Sequence, residues 1–356
     1  MTLFEKKPKS ILGIDIGTSS IKVVQLRKEE DKFKLENYGE LSTVGYLERL
    51  NEAFQITSLR KLQAVTREML RILLKETEID AKRTVMAIPV FSSFVSVIEM
   101  PEMAEKELSR AVEFEARRYV PIPLAEVALD WKIIESGMIK DSVSPKPFKG
   151  KRILLIAVPK EVVNKYIKIS ELLELKILAL ELESFSLARV LSSKESSCIL
   201  DIGARATSFT IVDKGTIQMS HSLDVAGAEM TKTLATGLGV AHTRAEEFKI
   251  THGLNHTDEK EIQELLNVSI DKIIDEIERM INSYQAKTER KIEKLILNGG
   301  SAQLVGLKEH IEKKINIKTV IADPWANITY PPNLQETLKK IGPQFSVAIG
   351  AAMRGE

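Results

Sequence analysis

Short apolar runs broken by small polar turns open the chain. Ile11-Leu12-Gly13-Ile14-Asp15-Ile16 is followed by Gly17-Thr18-Ser19-Ser20, and a second apolar run occupies residues 21–26. Polar residues 28–31 then lead to a third run at 33–38. Runs of this length between turn residues predict three antiparallel strands joined by tight turns. Leu59, Leu62, Met69, Ile72 and Leu73 recur at helical spacing, so an amphipathic helix is expected over 58–76. A strand over 84–88 ends at Pro89, and another over 93–100 ends at Pro101. A strongly charged helix over 104–118 follows, closed by Pro121 and Pro123. Residues 136–150 lack such a pattern. Gly137, Pro145, Pro147 and Gly150 lie there among charges, which predicts a surface hairpin loop or small linker. Beyond it, strand 152–158, helix 161–173, strand 176–182 and helix 185–191 alternate in the manner of α/β units.

The next strand, over 198–202, opens a second copy of the beginning. Ile14-Asp15-Ile16-Gly17, small residues and Ile21-Lys22-Val23-Val24 recur as Leu200-Asp201-Ile202-Gly203, then Ala204-Arg205-Ala206-Thr207-Ser208 and Phe209-Thr210-Ile211-Val212. In each copy an apolar strand reaches an Asp, passes a glycine turn and returns as a strand. A repeat on this scale predicts two lobes of related topology facing each other. A third glycine signal, Leu295-Ile296-Leu297-Asn298-Gly299-Gly300-Ser301, precedes a helical pattern over 304–313 and reads as strand, glycine turn, helix.

Length and charge narrow the class. At roughly 150 residues per domain, 356 residues make two domains or one large bilobal one. Lys and Arg number 51 against 50 Asp and Glu, so no basic excess calls for nucleic acid or an anionic membrane. The single cysteine, Cys198, excludes an intramolecular disulfide or a cysteine metal cluster, and its apolar surroundings make it a buried small hydrophobe in a reducing, cytoplasmic setting. Apolar runs such as 153–158 are far short of the roughly 20 residues a bilayer requires. Residues 1–9 lack the apolar stretch of a signal peptide. Leu3 and Phe4 beside Lys6 and Lys7 read better as a frayed terminus than as a membrane contact. Ala351-Ala352-Met353-Arg354 carries no amphipathic tail, so membrane attachment is expected only indirectly, through a partner.

The glycine turns carry the candidate chemistry. A turn of Gly17 or Gly203 with small residues can present successive backbone N–H groups to phosphate oxygens. Thr18 and Ser19 add hydroxyl donors, and Lys22 adds a positive charge. Asp15 and Asp201, at facing strand ends, are candidate ligands for a hydrated Mg²⁺. Gly299-Gly300 would let backbone approach a flat ligand such as a purine. A lone Asp-Ile-Gly is an everyday hairpin, but two copies at matched positions with a glycine pair before a helix describe a clamp for a nucleotide. The P-loop and dinucleotide fingerprints are both absent.

At these residues the chain resembles the actin-like ATPase superfamily. Residues 15–22 resemble its first phosphate motif, Asp201-Ile202-Gly203 the second, and residues 297–302 the adenosine motif. Glu183-Ser184-Phe185-Ser186-Leu187-Ala188-Arg189 and Ala348-Ile349-Gly350-Ala351-Ala352-Met353-Arg354 resemble its two connecting helices. Met100-Pro101-Glu102-Met103, Glu113-Phe114-Glu115-Ala116, Tyr119-Val120-Pro121-Ile122 and Leu129-Asp130-Trp131 are similar to the small subdomain of the branch that holds the division protein FtsA and the pilus assembly protein PilM. That resemblance implies an α/β, two-lobed, ribonuclease H-like fold with an FtsA-type small subdomain inserted in the first lobe. The implied division is lobe I at 1–91, 176–196 and 340–356, insert at 92–175, and lobe II at 197–339.

The same resemblance implies ATP and Mg²⁺ as ligands, with Ser301 and the turn at Gly227 beside them, and nucleoside contacts from Glu246 and Lys249. Thr243-Arg244-Ala245-Glu246 also fits a helix capping box that would turn Glu246 back onto the backbone. Glu183, matching the acidic residue that positions water in MreB-like relatives, and Asp201 are the implied catalytic residues; a plain helix-start role also suits Glu183. Ala204 stands where actin carries a second acidic residue, and Ala226-Gly227 where the family has Gly-Gly. These departures imply nucleotide binding with slow hydrolysis. The implied role is a cytoplasmic scaffold of the type IV pilus machine that binds the N-terminal cytoplasmic peptide of PilN and links it to motor ATPases. A sugar-kinase-type phosphotransferase and an FtsA-like membrane-associated filament protein are the alternatives, because fold alone does not choose.

Overall fold

The computed structural model describes residues 10–43, 56–139, 148–191, 195–255 and 260–355. The expectations for residues 1–9, and the part of the predicted loop at 140–147, lie outside them. In chain order the elements are strands β1 (Ile11–Ile16), β2 (Ser20–Glu29) and β3 (Lys32–Ser42), helix α1 (Ile56–Glu76), and strands β4 (Arg83–Ile88) and β5 (Phe94–Pro101). Helix α2 (Glu105–Ala116) precedes strands β6 (Val127–Ile139) and β7 (Phe148–Pro159), then α3 (Lys160–Leu172), β8 (Lys176–Leu182) and α4 (Glu183–Leu191). Strands β9 (Ser197–Ile202), β10 (Thr207–Asp213) and β11 (Thr216–Leu223) lead into α5 (Gly227–Leu238), α6 (His242–His252) and α7 (Lys260–Thr288). Then come β12 (Lys294–Asn298), α8 (Leu307–Ile315), β13 (Lys318–Ile321), β14 (Ile328–Thr329) and α9 (Gln335–Arg354).

The chain divides into two compact units, one of Met1–Pro89, Glu161–Leu191 and Ala322–Glu356, the other of Val90–Lys160 and Ser192–Ile321. The first unit is built on a sheet of order β14-β3-β2-β1-β4-β8. The second holds a sheet of order β11-β10-β9-β12-β13 and a smaller one of order β5-β7-β6. In both larger sheets the first hairpins are antiparallel, and the strand that opens the repeat pairs in parallel with a later one, β1 with β4 and β9 with β12. The repeat seen in the residues is therefore a repeat of sheet topology, as a duplicated ribonuclease H-like α/β fold requires.

Each unit closes its own core. In the first, Trp325, Leu338, Phe345 and Ile349 pack on Val24, Leu26 and Leu35, with Tyr38 edge-on to Trp325 and Phe345. Helix α9 can lie directly on β1 because Gly13 has no Cβ. One there would stand 1.9 Å from the Ala348 carbonyl oxygen. In the second unit α7 lays Ile262, Leu266, Ile270, Ile273, Ile277 and Ile281 against Leu200, Leu295 and Leu297 of the sheet. The small sheet is covered by α2 through Leu108, Val112 and Ala116.

The described ends of the expected hairpin loop over 136–150, residues 136–139 and 148–150, are strand. The glycines there pair across the hairpin, Gly137 with Gly150, and pairing continues to Ile139 and Phe148. Strand β11 and helices α5 and α7 were also not among the expected elements, α6 was foreshadowed only by the capping-box pattern at 243–246, and α8 begins at Leu307 after a short 3₁₀ turn over Gly300–Gln303 rather than at 304. Cys198 is buried in its strand, and burial pushes its thiol up to about 12, consistent with an inert hydrophobe. Among the described residues no helix is long and apolar enough to cross a membrane.

Candidate functional site

In the first unit the β1–β2 turn is held shut by the Gly17 N–H, which donates to the Ser20 carbonyl at 3.0 Å. A Cβ on Gly17 would come within 2.9 Å of that same oxygen, so glycine is required there. The Gly17 N–H thus closes the turn instead of joining a phosphate nest, which moves the expected donor role to Thr18 and Ser19. Thr43 braces the turn, its hydroxyl donating to the Thr18 carbonyl at 2.6 Å and its N–H to the Ser19 carbonyl at 2.8 Å.

Asp15 stands opposite Lys22 in the hairpin register. Lys22 is buried, donates to Ser20 Oγ at 2.5 Å and pairs with Glu40 at 3.5 Å. Burial lifts the Asp15 carboxyl above its usual value; Lys22 opposes the lift and Glu40 adds to it. Glu183 is the first residue of α4, where the helix dipole favours a negative charge. Tyr166 on α3 is buried, and its phenol is pushed well above the ordinary range, first by desolvation and then by the charges of Asp15 and Glu183. Asp15, Glu183 and a neutral Tyr166 hydroxyl therefore share one electrostatic neighbourhood. Nothing in the residue pattern around Tyr166 had marked it.

The second unit repeats the hairpin. Gly203 N–H donates to the Ala206 carbonyl at 3.1 Å, and a Gly203 Cβ would lie 3.0 Å from that oxygen. Asp201 faces Ser208 in register, where Asp15 faces Lys22. Its Oδ1 accepts a hydrogen bond of 2.7 Å from Asn298 Nδ2, at the end of the parallel neighbour β12. Gly299 follows with φ 88°, and a Cβ there would stand 2.5 Å from the Ile202 carbonyl and 2.7 Å from Asp201 Oδ1. Protein packing alone explains that glycine. Gly300 differs: it is exposed, and a Cβ on it would meet nothing within 4 Å.

Helix α5 starts against the second turn. The N–H groups of Gly227 and Ala228 donate to the carbonyls of Gly203 and Ala204 at 3.1 and 2.8 Å. A Cβ on Gly227 would fall 2.8 Å from Ser301 Oγ and 3.5 Å from Lys249 Nζ, so the turn at Gly227, Ser301 and Lys249 converge. Lys249 is buried and donates to the Gly227 carbonyl at 3.1 Å, Thr231 Oγ1 at 2.9 Å and Glu246 Oε2 at 2.8 Å. Helix α6 is capped at Ala241 with no side-chain bond, and Glu246 turns to Thr231 and Lys249. The capping-box reading of Glu246 is thereby corrected: the helix begins at His242, too early for Thr243 to cap it. Partial burial opposes ionisation of Glu246, but the bonds from Lys249 and Thr231 outweigh it and hold the carboxyl below its usual value.

A family model described as type IV pilus assembly protein PilM matches residues 13–356. The chain belongs to the PilM family. It is 22% identical over 381 residues to the cell division protein FtsA of Staphylococcus epidermidis, covering 95% of this chain and 77% of that one. A solved PilM–PilN type IV pilus biogenesis complex superposes with TM-score 0.80 at 24% identity, over 97% of this chain and 98% of that chain. MreB5 of Spiroplasma citri bound to ADP superposes with TM-score 0.53 at 13% identity, over 98% and 96%. These likenesses establish an actin-like ATPase fold for this PilM-family chain. Asn298, Thr231 and Tyr166 are the members of its two clusters that sequence reasoning missed. Asn298, sitting in the adenosine motif itself, had the only local signal.

Proposed function

We propose that this PilM-family chain binds ATP with Mg²⁺ and serves as a scaffold of the type IV pilus inner-membrane complex. It binds the N-terminal cytoplasmic peptide of PilN, links that peptide to the motor ATPases, and reaches the inner face of the membrane through its partner. In this reading residues 92–175 form the small subdomain used for docking. Thr18, Ser19 and Lys22 serve the phosphates on turns whose shape Gly17 and Gly203 set, and Asp15 and Asp201 serve the metal. Gly227, Glu246, Lys249, Gly299, Gly300 and Ser301 serve the nucleoside end.

One observation carries the reading. Gly300 is a glycine that nothing in its own unit requires, directly beside Gly299, which packing does require. An exposed glycine with open space at its Cβ leaves backbone that a flat ligand can approach. The donor set suits a hydrated magnesium ion in its chemistry, since Asp15 and Asp201 are carboxylates near the ends of buried strands and Asp201 is oriented by Asn298. When bound, that ion would neutralise charge on the phosphates. Asn298 orients Asp201, and Lys249 fixes the Gly227 carbonyl with Glu246 beside it. With Ala204 in place of a second acidic residue, hydrolysis by Glu183 and Asp201 is slow.

Asp15→Ala and Asp201→Ala should each lower Mg-ATP affinity at least tenfold in calorimetry while the circular dichroism spectrum stays that of the parent. Unchanged affinity in both would remove the assigned site. The FtsA similarity supports a second reading, a filament protein, which predicts nucleotide-dependent polymer on lipid vesicles.

A further inference from the structure

The second turn carries a charge, Arg205, that the nucleotide reading gave no role. Gly203-Ala204-Arg205-Ala206 closes like Gly17-Thr18-Ser19-Ser20, so Arg205 occupies the place of Ser19. Its side chain is exposed, and among the described residues no carboxylate pairs with it. Its guanidinium carbon lies 5.1 Å from the ring centre of Phe91 instead. Phe91 belongs to a short 3₁₀ turn, Val90–Ser92, that leads into β5 of the small sheet.

The rest of the turn is tied to α5. The carbonyls of Gly203 and Ala204 are both engaged as acceptors by the first amides of α5, which ties those oxygens to the helix. An oxygen already bound in that way is a poor source of repulsion toward a phosphate. Arg205 adds a planar, permanently charged donor of the geometry that phosphate prefers. An exposed cation–π contact is a weak alternative partner for such a group.

We infer that Arg205 reads the terminal phosphate of a bound nucleoside triphosphate, leaving the Phe91 ring to do so, and thereby reports nucleotide state to the root of the small sheet. This rests on the nucleotide site proposed above. A triphosphate offers Arg205 a partner stronger than the ring, and a diphosphate lacks that terminal group. Strand β5 is therefore held by Arg205 through Phe91 when ADP is bound and released when ATP is bound.

The test is calorimetry of the full chain with Mg-ATP and with Mg-ADP, joined to hydrogen exchange at residues 91–96. Arg205→Ala should weaken ATP about tenfold and ADP less than threefold, a difference of the size expected for one charge-assisted bond. Arg205→Lys should keep part of the ATP preference. In the parent, ATP should speed exchange at 91–96 relative to ADP, and Phe91→Leu should bind ATP within about threefold of the parent while losing that difference. Melting temperatures check that the variants fold. Equal weakening of ATP and ADP in Arg205→Ala, or exchange at 91–96 that ignores the nucleotide in the parent, would overturn the inference and leave the proposed site standing. A parent that binds neither nucleotide would overturn both.

Discussion

Asp15 lies in a strand whose neighbours are buried on both faces, and burial raises its carboxyl above the ordinary value of 3.8. The folded chain therefore holds this proton more tightly than the unfolded chain does. Folding stability from this group falls as pH rises from the ordinary carboxyl value through the raised one, and the loss is complete above it. Asp15→Asn removes the desolvated charge but keeps the shape. It should melt above the parent at pH 7, and the difference should vanish below about pH 3.8, while Mg-ATP affinity drops. A lower melting temperature at pH 7 would mean that Lys22 stabilises Asp15 more than burial penalises it. Gly17, Gly203 and the two Asp residues were legible in the sequence because a strand end and a tight turn are local matters. Thr231 and Asn298 were not, since their partners Lys249, Glu246 and Asp201 lie up to 97 residues away and only the fold brings them close.

Two connecting helices, α4 and α9, meet where Gly350 touches the Ser186 backbone, and a Cβ there would sit 2.1 Å from the Ser186 carbonyl oxygen. Beside the crossing, nearly inaccessible Glu181 accepts from Ser186 Oγ at 2.7 Å, from Arg189 through both guanidinium nitrogens at 2.7 and 2.8 Å, and from Arg354 at 2.7 Å. Backbone cannot yield as a flexible side chain can, so Gly350→Ala should lower the unfolding free energy by about 2–3 kcal/mol or more in urea titration. Gly300→Ala, with open space at its Cβ, should shift it by less than about 0.5 kcal/mol yet weaken Mg-ATP binding several-fold. A stability loss at Gly300 equal to that at Gly350 would contradict the division between a glycine for packing and a glycine for a ligand. At this scale the hairpins were readable, but β6 was hidden by a bulge between Ile133 and Glu135 that breaks the two-residue period. In β11, apolar Ile217, Met219 and Leu223 alternate with polar Gln218, Ser220 and Ser222, so this strand was legible though not among the expected elements. Helix α7 is a like case: its isoleucines recur at helical spacing, and the stripe was legible though not among the expected elements.

At the scale of the whole chain, the question is how a PilM-family protein would reach a membrane. Among the described residues no helix can span a bilayer. Among the described residues the large apolar side chains that stand exposed are Ile72, Phe114, Tyr119, Leu172, Ile250, Val268 and Ile321, and no two of them share a helix or strand. Single exposed apolar residues are ordinary, whereas an interfacial anchor needs a continuous apolar face. The formal charge of +1 supplies no general attraction to anionic lipid either. The proposed function has attachment follow a protein partner. The purified chain is expected to stay in the supernatant when spun with anionic vesicles, and to sediment when the vesicles display the N-terminal peptide of PilN. The free peptide should release it, with a micromolar dissociation constant in calorimetry as the rough expectation for a short segment that orders on binding. Sedimentation with bare vesicles would assign the anchor to this chain itself and favour the FtsA-like filament reading. No sedimentation in either case, with no heat from the peptide, would separate this chain from the PilN-docking role.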